Sequence, residues 1–452
     1  IQTITQFKDH PAILGWIIGN EWNINQGSGG AITPFYCYNN IADAIDGVER
    51  TLLGVPGWTS GIKELDPDHI VTSSLGFIQT HYMNGGFMDL FITGEYADII
   101  NALPDVDLWG FNVYRGNSLN TFFAQWREAF PNKPLMLTEF GTDAYNTVAG
   151  AVDEQQQADN FQSLWREIFR NLSAHDPARQ AVGGFAFEWN DEWWKHVDPA
   201  NHDSGGFPLV RDFPDMVRGN GPNNINQVTF YGHPDAGWSN EEYYGLLDLF
   251  RVPRIAYSTL DNEYSSMSVP AENITLAARS QTGDPGVNSH NSYAVFYKNG
   301  EPLSLRYATE GGGVPVARGF NIMVIDKSTG TPKDLKSFDM WEEITDPDDE
   351  CARLLDYVQD PQKLAPGDIV MVAVADTGTP LGESTPSDCQ IAITTYLGGT
   401  QINSLNFNEP YLLISEIIDQ GNALNCYEEV GTTGNVTIDG SCNATLPAIS
   451  LP

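Results

Sequence analysis

The sequence predicts an α/β fold, and three observations support this prediction. Between residues 11 and 260, apolar segments of strand length alternate with longer segments of helical periodicity. The short segments are rich in Ile, Val, Leu or aromatic residues, which is typical of parallel strands that are buried on both faces. Several end in polar residues, and parallel α/β folds place their sites at such carboxyl ends. The predicted strands are 12–19, 69–75, 106–113, 134–140 and 182–189.

The clearest helix is predicted over residues 154–171, with Asp153 and Gln156 as a capping pair. Its apolar residues recur at three- and four-residue spacing and form one stripe that can pack on a sheet. This stripe consists of Phe161, Leu164, Trp165, Ile168, Phe169 and Leu172. The insert 22–56 has no sustained period, so we expect a long loop that shapes a site.

Residues 263–289 are rich in Ser, Asn, Gly and Pro, which predicts a linker. A second α/β unit is expected after it, with strands near 293–297, 319–326 and 368–375 and helices near 349–358 and 388–397. The acidic residues at 346–350 fit a solvated helix start better than a calcium loop. The expected division is therefore a first domain over 1–262, the linker, a second domain over 290–424 and a tail over 425–452.

Charge and hydropathy exclude two classes of partner. Of the 452 residues, 23 are Lys or Arg and 59 are Asp or Glu, which gives a formal charge of −36. With no basic cluster, such a surface repels nucleic acid. The longest apolar run, 369–375, is far shorter than the ~18 residues of a membrane-spanning helix, so no membrane span is predicted.

The cysteines cluster near the carboxyl end. Cys351, Cys389, Cys426 and Cys442 allow three disulfide pairings, and the sequence leaves these open, although Cys426 with Cys442 would close a short loop. Metal binding is the weaker interpretation because no Cys-X-X-Cys spacing occurs, and we predict no metal site. Cys37 stands apart from the cluster and is either free or paired with a segment outside this sequence.

Four tripeptides have the pattern of N-glycosylation acceptors. They begin at Asn171, Asn273, Asn435 and Asn443. Such tripeptides also arise by chance, but together with the clustered cysteines they favour a secreted, glycosylated protein.

Two glutamates are the candidate catalytic residues. Glu21 ends the first predicted strand within Gly-Asn-Glu-Trp, and Glu139 ends a later strand within Thr-Glu-Phe-Gly. With two strands between them, they would face one another across the mouth of an eight-stranded barrel. Two converging carboxyl groups can break a glycosidic bond, one as an acid and one as an ionised partner. The alternative is that each glutamate only caps a strand and pairs with a basic residue.

Four segments resemble the strand signatures of retaining glycoside hydrolases of the (β/α)8, or TIM-barrel, clan, closest to glycoside hydrolase family two. They are DHPAILGWIIGNEWN, DLWGFNVYRG, KPLMLTEFGTDAYN and GGFAFEWNDEWWK. The resemblance implies that Glu21 is the acid/base and Glu139 the nucleophile. It further implies that Asn20 binds the sugar 2-hydroxyl, that Tyr114 lies near the nucleophile and that Trp189 forms an aromatic floor. In retaining enzymes the two carboxyl groups lie about 5 to 5.5 Å apart.

Aromatic and amide side chains at the strand ends supply further candidates for sugar binding. Indoles stack on the C–H faces of sugars, and amides bind hydroxyl groups. The aromatic candidates are Trp22, Trp109, Tyr114, Trp189, Trp193 and Trp194, of which about half are expected to be core. The polar candidates are Asn112, Asn190, Asp191 and Glu192. His69 and His81 are interpreted as structural, and no cofactor is predicted.

The resemblance departs from the family at its start, because a complete barrel has three strand-helix units before the acid/base strand. Only about ten residues precede Gly19. The expectation is a TIM-barrel domain lacking its first strands in this chain, completed by upstream polypeptide or by an assembly partner.

The later part of the chain resembles the ILEI/PANDER domain. The segments that carry the resemblance are GGGVPVARGFNIMVIDKSTG, LKSFDMWEE, APGDIVMVAVADTGTP and TYLGGTQINSLNFNEPYLLIS. The resemblance implies a compact extracellular β/α domain, for which glycan or protein binding is expected. Asp326, Asp339 and Asp376 are interpreted as structural.

The leading hypothesis is an extracellular retaining β-glycoside hydrolase or transglycosylase that acts on a glycan. The alternative is a non-catalytic extracellular structural or carbohydrate-binding protein, built from a barrel fragment and an ILEI-like module within a larger assembly.

Overall fold

A computed structural model of the chain was examined. The structure describes residues 2–23, 41–76, 95–114, 118–119, 121–146, 151–192, 207–208, 238–239, 241–266, 268–282, 292–307, 318–340, 347–379, 384–432 and 437–450.

Five parallel strands form the sheet of the first unit, and all five were predicted. They are β1 (Gly15–Asn20), β2 (Ile70–Gly76), β3 (Leu108–Val113), β4 (Leu135–Phe140) and β5 (Ala181–Ala186). The spatial order follows the chain order, and each neighbouring pair is parallel. Two strands therefore separate β1 from β4, as the sequence predicted.

Helices cover one face of this sheet and share a single apolar core with it. They are Gln2–Phe7, Ile41–Leu53, Ile62–Leu65, Glu95–Ala102, Phe122–Ala129, Glu154–Arg170 and Ile255–Ser266. The helix Ile41–Leu53 lies within the insert that was expected to be a loop, so that prediction was wrong for these residues. A 3-10 turn, Glu241–Tyr243, precedes the last helix of the unit.

Glu154–Arg170, here called the long helix, has the predicted apolar stripe and the predicted cap. Phe161, Leu164 and Ile168 are fully buried. The backbone N–H of Gln156 donates to Asp153 Oδ1 at 3.1 Å and satisfies one of the free donors at the helix start.

The two outer strands of the parallel sheet remain edges. Within the described residues, β1 has only β2 as a neighbouring strand and β5 has only β4, apart from an isolated bridge between Ala181 and Leu172. Both edges carry exposed apolar side chains: Leu14 and Ile17 at β1, and Val182 and Phe185 at β5. The sheet is the parallel part of an α/β fold, and a closed barrel is not formed by the described strands.

The second unit is a layered structure with two antiparallel sheets, here called the sandwich unit. Its strands are β6 (Glu272–Gln281), β7 (Tyr293–Lys298), β8 (Glu301–Tyr307), β9 (Gly319–Asp326), β10 (Thr331–Phe338), β11 (Ile369–Ala375), β12 (Tyr411–Asp419), β13 (Asn422–Val430) and β14 (Thr437–Leu446). The four-stranded sheet has the order β8-β7-β6-β14, and the five-stranded sheet has the order β10-β9-β11-β12-β13.

Alternation along the strands divides the sandwich unit into two cores. Met323 and Ile325 of β9 pack against the four-stranded sheet. Ile322 and Val324, which point to the opposite face, pack against helices. These helices are Pro347–Gln359 and Ser387–Ile391, the latter continuing as a π-helical turn, Ala392–Tyr396, and a 3-10 turn follows at Ile402–Ser404.

Two boundaries predicted from composition differ from the structure. The expected linker, 263–289, contains the last residues of the helix Ile255–Ser266 and all of β6. The apolar residues Ile274, Leu276 and Ala278 occupy every second position of β6 and are buried. The expected tail, 425–452, contributes most of β13 and all of β14 to the two sheets. In both segments the polar residues occupy the exposed face of a strand, which made the composition resemble that of a linker.

Two-residue strand pairs complete the secondary structure. They are Gly54–Val55 with Thr59–Ser60, Tyr145–Asn146 with Ala151–Val152, Phe207–Pro208 with Trp238–Ser239, and Ser268–Val269 with Ile449–Ser450.

Disulfides join Cys351 to Cys389 and Cys426 to Cys442, which selects one of the three possible pairings. Cys37 lies outside the described residues. Among the described helices, none has the length and apolar character needed to cross a membrane.

The long helix connects the two units through buried polar contacts. Lys298 Nζ of β7 donates to Glu167 Oε1 at 2.6 Å, and both side chains are almost fully buried. Arg170 Nη1 and Nη2 donate to the carbonyl oxygens of Pro447 and Pro270 at 2.6 and 3.0 Å. The sandwich unit is therefore fixed on the long helix by charged groups that lie away from solvent.

Candidate active site

The first strand ends in a turn that presents Glu21. Gly19 and Glu21 have φ angles of 71° and 49°, in the left-handed region. A non-glycine residue rarely adopts this conformation, and such strained positions cluster at functional sites. The backbone N–H of Glu21 donates to the Ser74 carbonyl oxygen at 3.0 Å, which holds the turn against β2.

Asn112 connects the two predicted catalytic strands. Its Nδ2 donates to Glu21 Oε1 and to Asn20 Oδ1, each at 3.0 Å. Its Oδ1 accepts from the hydroxyls of Ser74 and Thr138 at 2.9 and 2.8 Å, so the amide is fixed in one orientation. Asn112 is buried on β3 and stands directly beside Glu139 in the register of β3 with β4.

Glu139 is held by a tyrosine, as the resemblance implied. The Tyr114 hydroxyl donates to Glu139 Oε2 at 2.5 Å. Burial raises the pKa of Tyr114 well above its ordinary value, and the nearby charges of Glu139 and Glu21 raise it further. Because both glutamates act on one phenol, the structure brings Glu21, Glu139, Asn112 and Tyr114 together at the carboxyl ends of β1, β3 and β4.

Asn20 also lies in this cluster. Its Oδ1 accepts from Asn112, while its Nδ2 makes no hydrogen bond to any described residue, and the side chain is exposed. The hydrogen bond to Oδ1 therefore orients the Asn20 amide, and its Nδ2 can donate to a ligand.

Two aromatic rings that were not predicted form one wall of the site. Phe187 and Tyr244 pack edge-on against Tyr114, with ring centroids 5.9 and 5.6 Å away. Gly141 allows Phe187 to approach, because a Cβ at this position would lie 2.2 Å from the Phe187 carbonyl oxygen. The signal for Phe187 was present in the last strand motif, two residues before the tryptophan that was selected.

Trp189 and Asn190 do not join the cluster. Trp189 is 60% exposed and packs against Tyr257 at a centroid distance of 5.9 Å. Asn190 Nδ2 donates to the Asp191 carbonyl oxygen at 2.9 Å. The aromatic floor expected at Trp189 is thus not placed there, and Phe187 is the residue of that motif which faces Tyr114.

Several other candidates have structural roles. Trp22 is buried and its Nε1 donates to Ser73 Oγ at 2.8 Å, so it anchors the Glu21 turn instead of presenting its ring to a ligand. Trp109 is fully buried in the core. Asp191 forms a buried bidentate ion pair with Arg254 at 2.5 and 2.6 Å. Trp193 and Trp194 lie outside the described residues.

His69 has the structural role that was expected. Its Nδ1 lies 2.9 Å from Asp66 Oδ1, and this partner raises the pKa of His69. His81 lies outside the described residues.

The predicted glycosylation acceptors fall in three different situations. Asn171 is 2% exposed and its Nδ2 donates to the Glu167 carbonyl oxygen at 2.9 Å, which leaves no room for a glycan in the folded chain. Asn273 and Asn443 are exposed on the neighbouring strands β6 and β14. Asn435 lies outside the described residues.

The two exposed acceptor tripeptides pair with each other. In the register of β6 with β14, Asn273 stands opposite Thr445 and Thr275 opposite Asn443. Each threonine hydroxyl donates to the Oδ1 of the opposite asparagine, at 2.8 and 2.9 Å. Both asparagines thus keep Nδ2, the atom that carries an N-linked glycan, out of these bonds.

Comparison with known proteins identifies one domain. Residues 318–417 match the family described as interleukin-like EMT inducer (ILEI), so the chain contains an ILEI domain within its sandwich unit. No curated protein matches the chain.

Similar solved structures are glycoside hydrolases and transglycosylases, at low similarity. A β-glucuronidase of Faecalibacterium prausnitzii is 18% identical, with a TM-score of 0.32, over 58% of this chain and 33% of that protein. A β-1,3-glucanosyltransferase of Rhizomucor miehei is 11% identical, with a TM-score of 0.29, over 56% of this chain and 67% of that protein. An endo-laminarinase from Formosa Hel1_33_131 is 16% identical, with a TM-score of 0.31, over 59% and 62%. This chain spans about a third of the length of the β-glucuronidase.

Proposed function

We propose that this chain carries the catalytic centre of an extracellular retaining β-glycoside hydrolase or transglycosylase. The observation that carries the proposal is that the same polar side chains lie beside both glutamates. Asn112 donates to Glu21 and stands beside Glu139, and Tyr114 donates to Glu139. A capped strand end paired with a basic residue, the alternative for each glutamate, would not require this shared arrangement.

The proposed roles follow from the donors around each carboxyl group. Glu139 receives the Tyr114 hydroxyl on Oε2, which orients the carboxylate that would attack the anomeric carbon. Glu21 would protonate the leaving oxygen and then activate water or a second sugar. Asn20 would bind the sugar 2-hydroxyl through its Nδ2, an interaction that strengthens in the transition state. Retention requires carboxyl groups about 5 to 5.5 Å apart.

Covalent labelling tests this proposal. A 2-deoxy-2-fluoro β-glycoside with a good leaving group should form a stable glycosyl-enzyme on Glu139, because the fluorine slows its hydrolysis. Intact mass should rise by one glycosyl unit, and peptide mapping should place that unit on Glu139. The Glu139→Gln variant is the matched control and should stay unlabelled. A folded protein that no sugar of a broad β-glycoside panel labels would contradict the proposal.

The exposed sheet edges favour a second candidate function. The outer edges of β1 and β5 have no strand beside them within the described residues, so their backbone groups could pair with further strands. Both strands also carry exposed apolar side chains, among them Ile17 and Phe185. In this second proposal the parallel sheet serves as a structural element whose edges bind polypeptide within an extracellular assembly. Further polypeptide at these edges would also complete the barrel of an enzyme, so the labelling experiment separates the two candidates.

We further propose that the protein is secreted, with glycans at Asn273 and Asn443, and that the ILEI domain binds glycan or a protein partner. The two disulfides and the two exposed acceptors support secretion.

A further inference from the structure

A polar cavity lies where the long helix meets the sandwich unit. Its volume is about 530 Å³, and it lies between one face of the helix and the Glu272 and Asn299 positions of the other unit. Ligand pockets commonly have volumes of about 300 to 1,000 Å³. This cavity, here called the junction groove, therefore has the size of a site for a small ligand or for a few units of a polymer.

Asn160 shows that the junction groove is built for a polar ligand. Its residue is only 6% exposed, yet its side chain lines the cavity and makes no hydrogen bond to any described residue. Its amide therefore opens onto the cavity, where water or a ligand can supply its hydrogen-bond partner. Ser163, one turn further along the helix, also lines the cavity and has no side-chain hydrogen bond within the described part.

The other polar groups narrow the ligand class. Arg166 is held by Glu263 at 2.8 Å, so no free cation among the lining residues attracts an anion. Asn299 accepts the Thr275 N–H on Oδ1 and keeps its Nδ2 as a donor, while Glu272 offers acceptors. No group of three or more His, Cys, Asp or Glu side chains in the described ranges is arranged to hold a metal ion.

The lining of the junction groove contains both donors and acceptors. The amides of Asn160 and Asn299 donate, the carboxylates of Asp153, Asp159 and Glu272 accept, and the Ser163 hydroxyl does both. Hydroxyl groups, which donate and accept at one atom, complement such a surface. A neutral, hydroxyl-rich ligand therefore fits better than an anion or an apolar molecule.

A series of contacts connects the helix that lines the junction groove with the candidate active site. Gln157, one turn before Asn160 on the same helix, reaches the carbonyl oxygen of Tyr244 at 3.5 Å. Tyr244 packs on Tyr114, which binds Glu139. In addition, the long helix follows the strand that carries Glu139, so its amino end and Glu139 lie toward the same end of the sheet.

We propose that the junction groove is a second carbohydrate site, which binds a neutral oligosaccharide beside the catalytic centre and depends on Asn160. The choice of sugar as the ligand rests on the proposed function. The presence of the cavity and of the Asn160 amide in its lining does not depend on the proposed function.

Calorimetric titration of the full chain tests this proposal. The Glu139→Gln variant is titrated with cellohexaose, laminarihexaose and maltohexaose, so that no turnover enters the measurement. Adding Asn160→Leu, which keeps the side-chain size, should weaken or remove one binding event by at least about tenfold, since a buried polar contact to the ligand is lost. Asn422→Leu, at an exposed strand end of the sandwich unit, is the matched control and should leave binding unchanged.

Two results would overturn the proposal. One is unchanged binding of all three sugars by a folded Asn160→Leu variant, and the other is the absence of binding at millimolar sugar in the parent chain. If Asn160→Leu does not fold, Ser163→Ala decides: loss of one hydroxyl should weaken binding about two- to tenfold, and no change would contradict the site. Failure of fluoroglycoside labelling with intact groove binding would instead count only against the catalytic proposal.

Discussion

At the residue scale, Tyr114 determines the state of the proposed nucleophile. Its pKa is raised by burial and by the charge of Glu139, so the hydroxyl stays protonated as the pH rises past the ordinary range of tyrosine. A protonated phenol remains a donor to Glu139 Oε2 throughout. Charge on that carboxylate is thus stabilised by a group that does not itself titrate near neutral pH.

Replacing Tyr114 by Phe tests this role. The Tyr114→Phe variant loses the donor but keeps the ring that packs on Phe187 and Tyr244, so we expect the protein to fold. The kcat on an aryl β-glycoside should fall about 10²-fold, because one oriented donor to the reacting group is removed. Tyr257→Phe, whose ring lies on Trp189 away from the glutamates, is the matched control. An unchanged kcat in Tyr114→Phe would contradict the assignment of Glu139.

Glu428 is a second carboxylate whose surroundings favour its charge. Burial alone would raise its pKa, but the backbone N–H groups of Gln401 and Thr400 and the Tyr411 hydroxyl donate to it, and the net effect lowers the pKa. Because the folded pKa lies below the unfolded one, this stabilisation is complete above the ordinary pKa of glutamate. It is lost as the pH falls through the lower, folded value.

The Glu428→Gln variant should therefore lose stability in a pH-dependent way. At neutral pH we expect the free energy of unfolding to fall by about 1 to 3 kcal/mol, because the donors lose a charged acceptor. The difference from the parent protein should shrink as the pH falls through the lowered folded pKa of Glu428, until the carboxyl group is protonated in both states. Urea unfolding at several pH values measures it, and a difference that is constant with pH would contradict the role of the charge.

At the element scale, the long helix holds the two units together. Glu167 accepts from Lys298, from the Ser118 hydroxyl and from the Leu119 N–H, so every partner of this buried carboxylate is a donor. Removal of the lysine leaves a buried charge with only neutral donors.

The Lys298→Met variant should accordingly destabilise the protein by about 3 to 5 kcal/mol. Lys327→Met, which breaks the partly exposed ion pair with Glu416, is the matched control and should cost about 1 kcal/mol or less. Urea denaturation followed by circular dichroism measures both. Adding Glu167→Gln to Lys298→Met should restore part of the lost stability. An equal loss of stability in the two lysine variants would contradict a stabilising role for the buried ion pair.

The elements of the parallel sheet could be predicted because the strands are short segments rich in apolar residues and several end in polar residues. β6 could not be predicted in the same way. Its buried residues Ile274, Leu276 and Ala278 alternate with Asn273, Thr275 and Ala277, and the flanks are rich in Ser and Gly. Its pairing with β7 and with the distant strand β14 shows that this alternation is a strand.

Within the site, residues that belong to local sequence motifs could be predicted, and residues that join the site through long-range contacts could not. Glu21 and Glu139 belong to short motifs at strand ends, and Asn112 and Tyr114 belong to a third motif, so local sequence was sufficient. Phe187 and Tyr244 belong to the site through ring contacts between residues that are distant in the sequence. Trp189 is exposed, and in an extended segment a shift of one residue places a side chain on the opposite face.

At the scale of the whole molecule, two exposed acceptors support the proposal that the protein is secreted. The paired tripeptides on β6 and β14 place Asn273 and Asn443 on one solvent-exposed face. Glycans on this face would cover the outer surface of the four-stranded sheet and leave the core unchanged. The formal charge of −36 already keeps such a surface hydrated and soluble.

Expression through a eukaryotic secretory pathway tests the glycan positions. Glycopeptide mapping should find Asn273 and Asn443 occupied and Asn171 unmodified, since only the first two are exposed. The Thr275→Ala variant should lose the glycan at Asn273 and retain that at Asn443, with Ser441→Ala on the same strand face as control. A glycan on Asn171, or an unmodified protein, would contradict the proposed arrangement.

The pairing of β6 with β14 also determines when the sandwich unit can fold. Contacting residues of these two strands lie 168 and 172 positions apart in the chain. Contacts this distant form slowly, because a long loop must close before any of them contributes. During synthesis, the edge of β6 that pairs with β14 stays unpaired until residues 437–446 have left the ribosome. The five parallel strands, by contrast, are complete much earlier. The ILEI domain at 318–417 is thus made after β6 and before β14, so the four-stranded sheet is completed after the five-stranded sheet.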